Sequence, residues 1–136
     1  MRAVLSLVPA EDLIYPLELP SYAAEVRARF GQGAWSLPVP DYGVPTDRRA
    51  FEAALAAVTE ALRSGERILV HCLAGCGRTG TFAAAFLVSR GQDPDEAIAA
   101  VRAARGCGPE TAGQVAWVRG LVDANGPFLR KPRELG

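Results

Sequence analysis

Read for hydrophobic and polar positions, the chain alternates short apolar runs with stretches of helical spacing. Ala3 to Val8 reads as a strand stopped by Pro9, and Ala34 to Val39 as a second strand leading into Pro40. Ile68 to Val70 is a third, short and buried, and the run from Thr81 to Ser89, with Phe82, Phe86, Leu87 and Val88 among alanines, is a buried helix. Residues 11–20 are irregular, broken by Pro16 and Pro20. Ser21 caps a helix with Tyr22, Val26 and Phe30 on one face, ended by Gly31. Thr46 caps another that runs to Arg63, with Phe51, Leu55, Val58 and Leu62 at helical spacing and Ser64-Gly65 as its stop. Asp93-Pro94-Asp95-Glu96 opens a helix with a cap, a first-turn proline and an acid at the third position. Ile98, Val101 and Ala104 face inward there, and Arg102 and Arg105 sit in its last turn, where the helix dipole favours cations. The last helix spans Thr111 to Ala124 on Val115, Val118, Leu121 and Val122, and Asn125-Gly126-Pro127 end it.

Strands that are each followed by crossover material predict an α/β fold, a small mainly parallel sheet flanked by helices on both faces. At 136 residues and 49% hydrophobic composition, one domain over residues 1–136 is expected, with the basic, proline-containing tail 128–136 frayed. Fifteen basic and fifteen acidic side chains argue against a nucleic-acid partner held by phosphate contacts. The apolar stretch Ala3 to Val8 is too short for a secretory signal, and no run approaches the roughly 20 residues that span a bilayer. No membrane partner is therefore expected, and the expected location is cytoplasmic. Three cysteines, an odd number, fit a reducing compartment better than a disulfide framework. With one histidine there is no cluster to hold a metal, and no cofactor is expected.

The chemistry concentrates between Ile68 and Gly80, in Ile-Leu-Val-His-Cys-Leu-Ala-Gly-Cys-Gly-Arg-Thr-Gly. A strand that turns abruptly into a helix aims several backbone N–H groups into one concavity, and the helix dipole adds to the field. Gly75 and Gly77 permit the positive φ angles such a curl needs. Arg78 offers a planar fork of donors to two oxygens of one phosphate. Cys72 then lies at the floor of a cationic bowl, where a thiol is expected to ionise below its free value of about 8.5 and act as a nucleophile.

His71-Cys72, five residues and Arg78-Thr79 resemble the His-Cys-x5-Arg-Ser/Thr signature of the cysteine-based protein tyrosine phosphatases. The longer run His-Cys-x-Ala-Gly-x-Gly-Arg-Thr-Gly is most similar to the small dual-specificity branch. The resemblance implies that family's fold and the hydrolysis of phosphate monoesters through a phosphocysteine on Cys72. It makes Leu73, Ala74, Gly75, Cys76, Gly77 and Arg78 the phosphate-binding loop. Thr79 becomes a donor to the sulfur, and His71 a residue that fixes the loop. Pro40-Asp41-Tyr42-Gly43-Val44-Pro45-Thr46 resembles the family's acid loop, with Asp41 at the general acid's position. By the residues alone, Asp41 reads first as the start of a turn.

Gln114 has two readings. With Thr111 it completes a Thr-x-x-Gln capping box. It also matches the family glutamine that places the hydrolytic water, although Arg105-Gly106-Cys107 lacks the family's proline after the arginine. Cys76 and Cys107 are each either incidental or a redox partner of Cys72. Arg48 and Arg49 are either solvated or contact an acidic substrate. Lipid phosphatases of the superfamily carry lysines where this loop has Leu73 and Cys76, and the chain is too short for the segments that wall a deep phosphotyrosine pocket. The expected partner is a phosphorylated protein or peptide, with phosphotyrosine handled at least as well as phosphoserine or phosphothreonine; the oligomeric state is left open. A phosphate-binding module without turnover and a rhodanese-like or arsenate-reducing thiol enzyme are the alternatives.

Overall fold

The computed structural model describes residues 3–8, 28–29, 31–72 and 77–122. The helix expected over Tyr22 to Phe30 lies outside the described residues except for Ala28 and Arg29, which are helical, and the tail 128–136 lies outside them altogether. The described residues fall into two compact units: one holds residues up to Pro40 together with Pro45 to Cys72, the other Asp41–Val44 with residues from Gly77 onward.

The first unit is built on a parallel sheet. Strand β1 (Ala3–Ser6) lies between β2 (Ala34–Ser36) and β3 (Ile68–His71), with Leu5 opposite both Trp35 and Val70. β1 and β2 are shorter than the apolar runs that predict them, but the pairing outlives the regular ladder. Leu37 N–H donates to Ser6 O at 2.9 Å, Val39 N–H to Leu7 O at 3.0 Å and Leu7 N–H to His71 O at 2.9 Å. Pro38 has no N–H to give, which explains why the second ladder loses its regularity there. Leu7, Val8, Leu37 and Val39 are nonetheless buried. β3 corrects one expectation. It is not a buried strand: it stands at an edge of the described sheet, with Leu69 43% exposed and Ile68 and Val70 only half-buried.

Helix α1 (Arg48–Arg63) belongs to the same unit and packs against β2 and β3. Its cap is Asp47 rather than the expected Thr46. The Asp47 carboxylate accepts from Ala50 N–H at 3.1 Å and also complements the positive end of the helix. Phe51, Leu55 and Val58 are buried as expected, but Ala54 and Ala61 complete the stripe and Leu62 is exposed. Ser64 ends the helix and Gly65 follows at φ +76°.

The second unit is helical. α2 (Gly77–Ser89) begins ahead of the buried run from Thr81, with Arg78 and Thr79 in its first turn. The Thr81 hydroxyl donates to Gly77 O at 2.6 Å inside that turn. α3 (Pro94–Arg105) starts as read, with Asp93 accepting from Asp95 and Glu96 N–H. Its inward positions are Ala97, Ile98 and Val101, whereas Ala104, in the last turn, is exposed. Gly106 closes it in the left-handed conformation at φ +79°. α4 (Ala112–Arg119) is shorter than predicted and tightens at Gly120 into a 3-10 turn over Gly120–Val122, which buries Leu121 and leaves Val122 exposed. The three helices pack on one another. Among the described residues no helix is long and apolar enough to cross a membrane.

Candidate active site

Arg78 is the second residue of α2, and its side chain is only 3% exposed. A guanidinium held that deep requires a counter-charge. Asp41 supplies it from a distant segment of the chain, with Oδ1 3.7 Å from Nη2 of Arg78, while its own side chain stays 65% exposed. The carboxylate side of the pair thus faces solvent. The fixed guanidinium and the positive end of α2 act at the same place, a combination that attracts an oxyanion.

The segment carrying Asp41 is held in an uncommon shape. Tyr42 adopts the left-handed region at φ +59°, which costs a side-chain-bearing residue about 1–2 kcal/mol. Its N–H donates to Asp41 Oδ1 at 3.0 Å, and its ring is 65% exposed. The hydroxyl of Thr111 donates to Tyr42 O at 3.5 Å, and Nε2 of Gln114 donates to Gly43 O at 3.0 Å.

Gln114 is fully buried, and its hydrogen bonds account for its side chain. Oε1 accepts from Glu110 N–H at 2.8 Å and Thr111 N–H at 3.0 Å, and the Thr111 hydroxyl accepts in turn from Gln114 N–H at 3.0 Å. The capping-box reading of this residue therefore holds. The same amide lies against the start of α2: a Cβ on Gly77 would stand 3.1 Å from Nε2 and 3.2 Å from Oε1. The preceding connection is tied down by Arg102, whose Nη2 donates to Pro109 O at 2.8 Å, and the Gly108-Pro109 peptide is cis. The sequence carried a signal for the cap in Thr-x-x-Gln, but none for the bond from Gln114 to Gly43 O or for the left-handed Tyr42.

Asp41, Gly77, Arg78, Thr79 and Gln114 thus belong to one unit, with Gly77, Arg78 and Thr79 all buried. His71 and Cys72 belong to the other. Cys72 follows directly on the last residue of β3, half-buried and not in a disulfide. His71 is also half-buried, and loss of hydration lowers its pKa from the ordinary 6.5, favouring neutral imidazole. Leu73, Ala74, Gly75 and Cys76 lie outside the described residues. Cys107 is disulfide-bonded and Cys72 is not, so Cys107 is not the partner of Cys72. Arg48 and Arg49 are exposed, and Arg48 Nε pairs with Glu52 Oε1 at 3.2 Å, one helical turn on.

Solved phosphatase structures share this fold. The structure of kinase associated phosphatase, carrying serine in place of its catalytic-site cysteine, aligns at a TM-score of 0.79 over 90% of this chain and 69% of that one; at 21% identity the likeness is one of fold. More particularly, residues 15–123 match the family described as Swiss Army Knife protein, DSP-PTPase phosphatase domain, and the chain belongs to that family. Tk-PTP in its active form is 32% identical, with a TM-score of 0.72 over 88% of this chain and 76% of its own. Protein tyrosine phosphatase domain-containing protein 1 of Mus musculus is 37% identical over 111 residues, 81% of this chain and 14% of that protein. Its counterpart in Danio rerio is 36% identical over 115 residues, 84% of this chain and 15% of that protein. The chain therefore spans about one-seventh of the length of the curated relatives it matches.

Proposed function

We propose that this phosphatase domain hydrolyses phosphate monoesters in two steps through a phosphocysteine on Cys72. In the first, the Cys72 thiolate forms a bond to phosphorus as the bond to the leaving oxygen breaks, and Asp41 gives that oxygen its proton. Arg78 and the amides from Leu73 to Arg78 carry the charge on the equatorial phosphate oxygens. In the second, Asp41 takes a proton from water as its oxygen attacks phosphorus and sulfur leaves, with the Thr79 hydroxyl stabilising the departing thiolate. His71 fixes the strand end that carries Cys72.

The observation that carries this reading is the approach of Asp41 to within 3.7 Å of Arg78, because it joins the acid of one segment to the arginine of another. Family membership supports it independently.

The substrate class we favour is phosphoprotein, with phosphotyrosine at least as good as phosphoserine or phosphothreonine. The loop has Leu73 and Cys76 where cations would suit a multiply phosphorylated ring, and the exposed ring of Tyr42 beside Asp41 gives an aryl leaving group an apolar neighbour. The location we favour is the cytoplasm, where the Cys72 thiol stays reduced and nucleophilic.

Release of 4-nitrophenol from its phosphate ester across pH tests the reading in the wild type, Cys72→Ser and Asp41→Ala. Cys72→Ser is expected to abolish turnover, and Asp41→Ala to lower kcat by about two orders of magnitude or more with loss of the basic limb. A wild type that binds phosphate without turnover would instead be a binding module, and one that transfers sulfur a rhodanese-like enzyme.

A further inference from the structure

We propose that Gln114 and Thr111 form a latch that holds the acid loop over Arg78, so that Gln114 is a positioning residue for Asp41 rather than the residue that places the hydrolytic water. The proposal rests on the phosphatase reading above.

The amide orientation of Gln114 is set by its neighbours. Two backbone N–H groups, of Glu110 and Thr111, converge on one end of the side chain, and the carbonyl of Gly43 faces the other. A flipped amide would set donors against donors and an acceptor against an acceptor. Oε1 is therefore committed to the cap of α4 and Nε2 to the acid loop. Complete burial and contact with Gly77 leave this amide filled by protein partners rather than open to a water that must arrive and react.

What the latch holds requires holding. Asp41 and Tyr42 are exposed, and Tyr42 is left-handed, so the segment contributes little burial of its own and carries a backbone cost. The two bonds from α4 reach the consecutive carbonyls of Tyr42 and Gly43, directly after the acid. Because the Gln114 amide also lies on Gly77, the residue before Arg78, it references the acid to the arginine through one rigid side chain. A general acid is effective only within hydrogen-bond reach of the leaving oxygen, so a loop released from this point forfeits protonation before it forfeits the nucleophile.

Gln114→Glu separates the two functions of the side chain. As a carboxylate it keeps acceptors for the cap of α4 but replaces the donor to Gly43 O with a second acceptor, so the cap survives and the latch opens; a pH series separates this from the protonated form, whose O–H would still donate to Gly43 O. The test measures kcat/KM on aryl phosphates of graded leaving-group pKa, with rapid-quench detection of phosphoenzyme, in the wild type, Gln114→Glu, Asp41→Ala and the double variant. Gln114→Glu is expected to lose about tenfold or more on phosphotyrosine peptide and progressively less as the leaving group improves, and to add under about twofold in the Asp41→Ala background, because both act through one proton transfer. Thr111→Asp keeps an N-cap acceptor but has no donor for Tyr42 O. It should show the same leaving-group pattern more weakly, and it carries the test if Gln114→Glu does not fold. Equal losses on all leaving groups, or accumulation of phosphoenzyme with an unchanged first step, would overturn the latch, the second outcome returning Gln114 to the placing of water. A wild type without turnover on any aryl phosphate would overturn the phosphatase reading itself, and the latch's catalytic role with it.

Discussion

Gly80 of α2 and Gly108 of the connection between α3 and α4 meet backbone to backbone. A Cβ on Gly80 would stand 2.7 Å from both Cα and the carbonyl carbon of Gly108. Backbone atoms cannot swing aside as the end of a side chain can, and Gly108 is itself left-handed at φ +68°. The glycine that ends the Gly-Arg-Thr-Gly run is therefore a packing requirement. Gly80→Ala, which would gain up to about 1 kcal/mol in an exposed helix, is expected here to destabilise by about 1–3 kcal/mol. The measurement is urea unfolding, with a lowered midpoint at unchanged slope as the expected result. A neutral or stabilised variant would mean that α2 and the connection part at little cost.

Arg78→Lys tests whether charge or shape matters at the start of α2. The arginine is buried, so its geometry is fixed, and a lysine would keep the charge while losing the planar fork that engages two oxygens at once. The expected loss in kcat is about a hundredfold or more, as for removal of one oxyanion donor. Circular dichroism showing an intact fold makes the loss interpretable, and near-wild-type turnover would show that a point charge suffices.

The cap of α1 offers a sharper stability test, because two neighbouring residues compete for it. Asp47 accepts from Ala50 N–H, and Thr46 precedes it. Asp47→Ala is expected to cost about 1 kcal/mol of unfolding free energy, and Thr46→Ala less than about 0.5 kcal/mol. The reverse ranking in denaturant unfolding would move the helix start back to Thr46.

These contrasts mark what could be read in the sequence. The cap of α3 was legible because Asp93-Pro94-Asp95-Glu96 is a local signal, and the cap of α4 because Thr111 and Gln114 are one turn apart. The parallel α/β class was legible because apolar runs and helical spacing alternate, and the sheet is parallel throughout its described strands. Illegible were features decided by distant partners. Leu69 is as apolar as Leu5, yet among the described strands one lies at the sheet's edge and the other at its centre, which composition cannot distinguish. The approach of Gly80 to Gly108, the left-handed Tyr42 and the bond from Gln114 to Gly43 each join segments far apart in the chain or depend on such a junction. The general-acid role proposed for Asp41 rests on resemblance, and only the fold brings that carboxylate to Arg78.

His71 gives the last prediction its sign. Burial at the end of β3 lowers its pKa below the ordinary 6.5, so the folded protein takes up this proton at a lower pH than the unfolded chain does. Between those two values the unfolded chain binds more protons, and unfolding free energy must rise with pH. The contribution is therefore complete above about pH 6.5, is lost as pH falls toward the folded value, and levels off once both forms are protonated. His71 is the chain's only histidine, so His71→Gln removes the entire histidine part of that slope. Urea unfolding of the wild type at about pH 7.5 and about pH 5.5 should show a fall in stability on acidification, and His71→Gln a smaller one. Equal falls would assign the whole dependence to carboxylates. A smaller fall in the variant would establish that the residue beside Cys72 is held as neutral imidazole, able to donate one hydrogen bond and accept another.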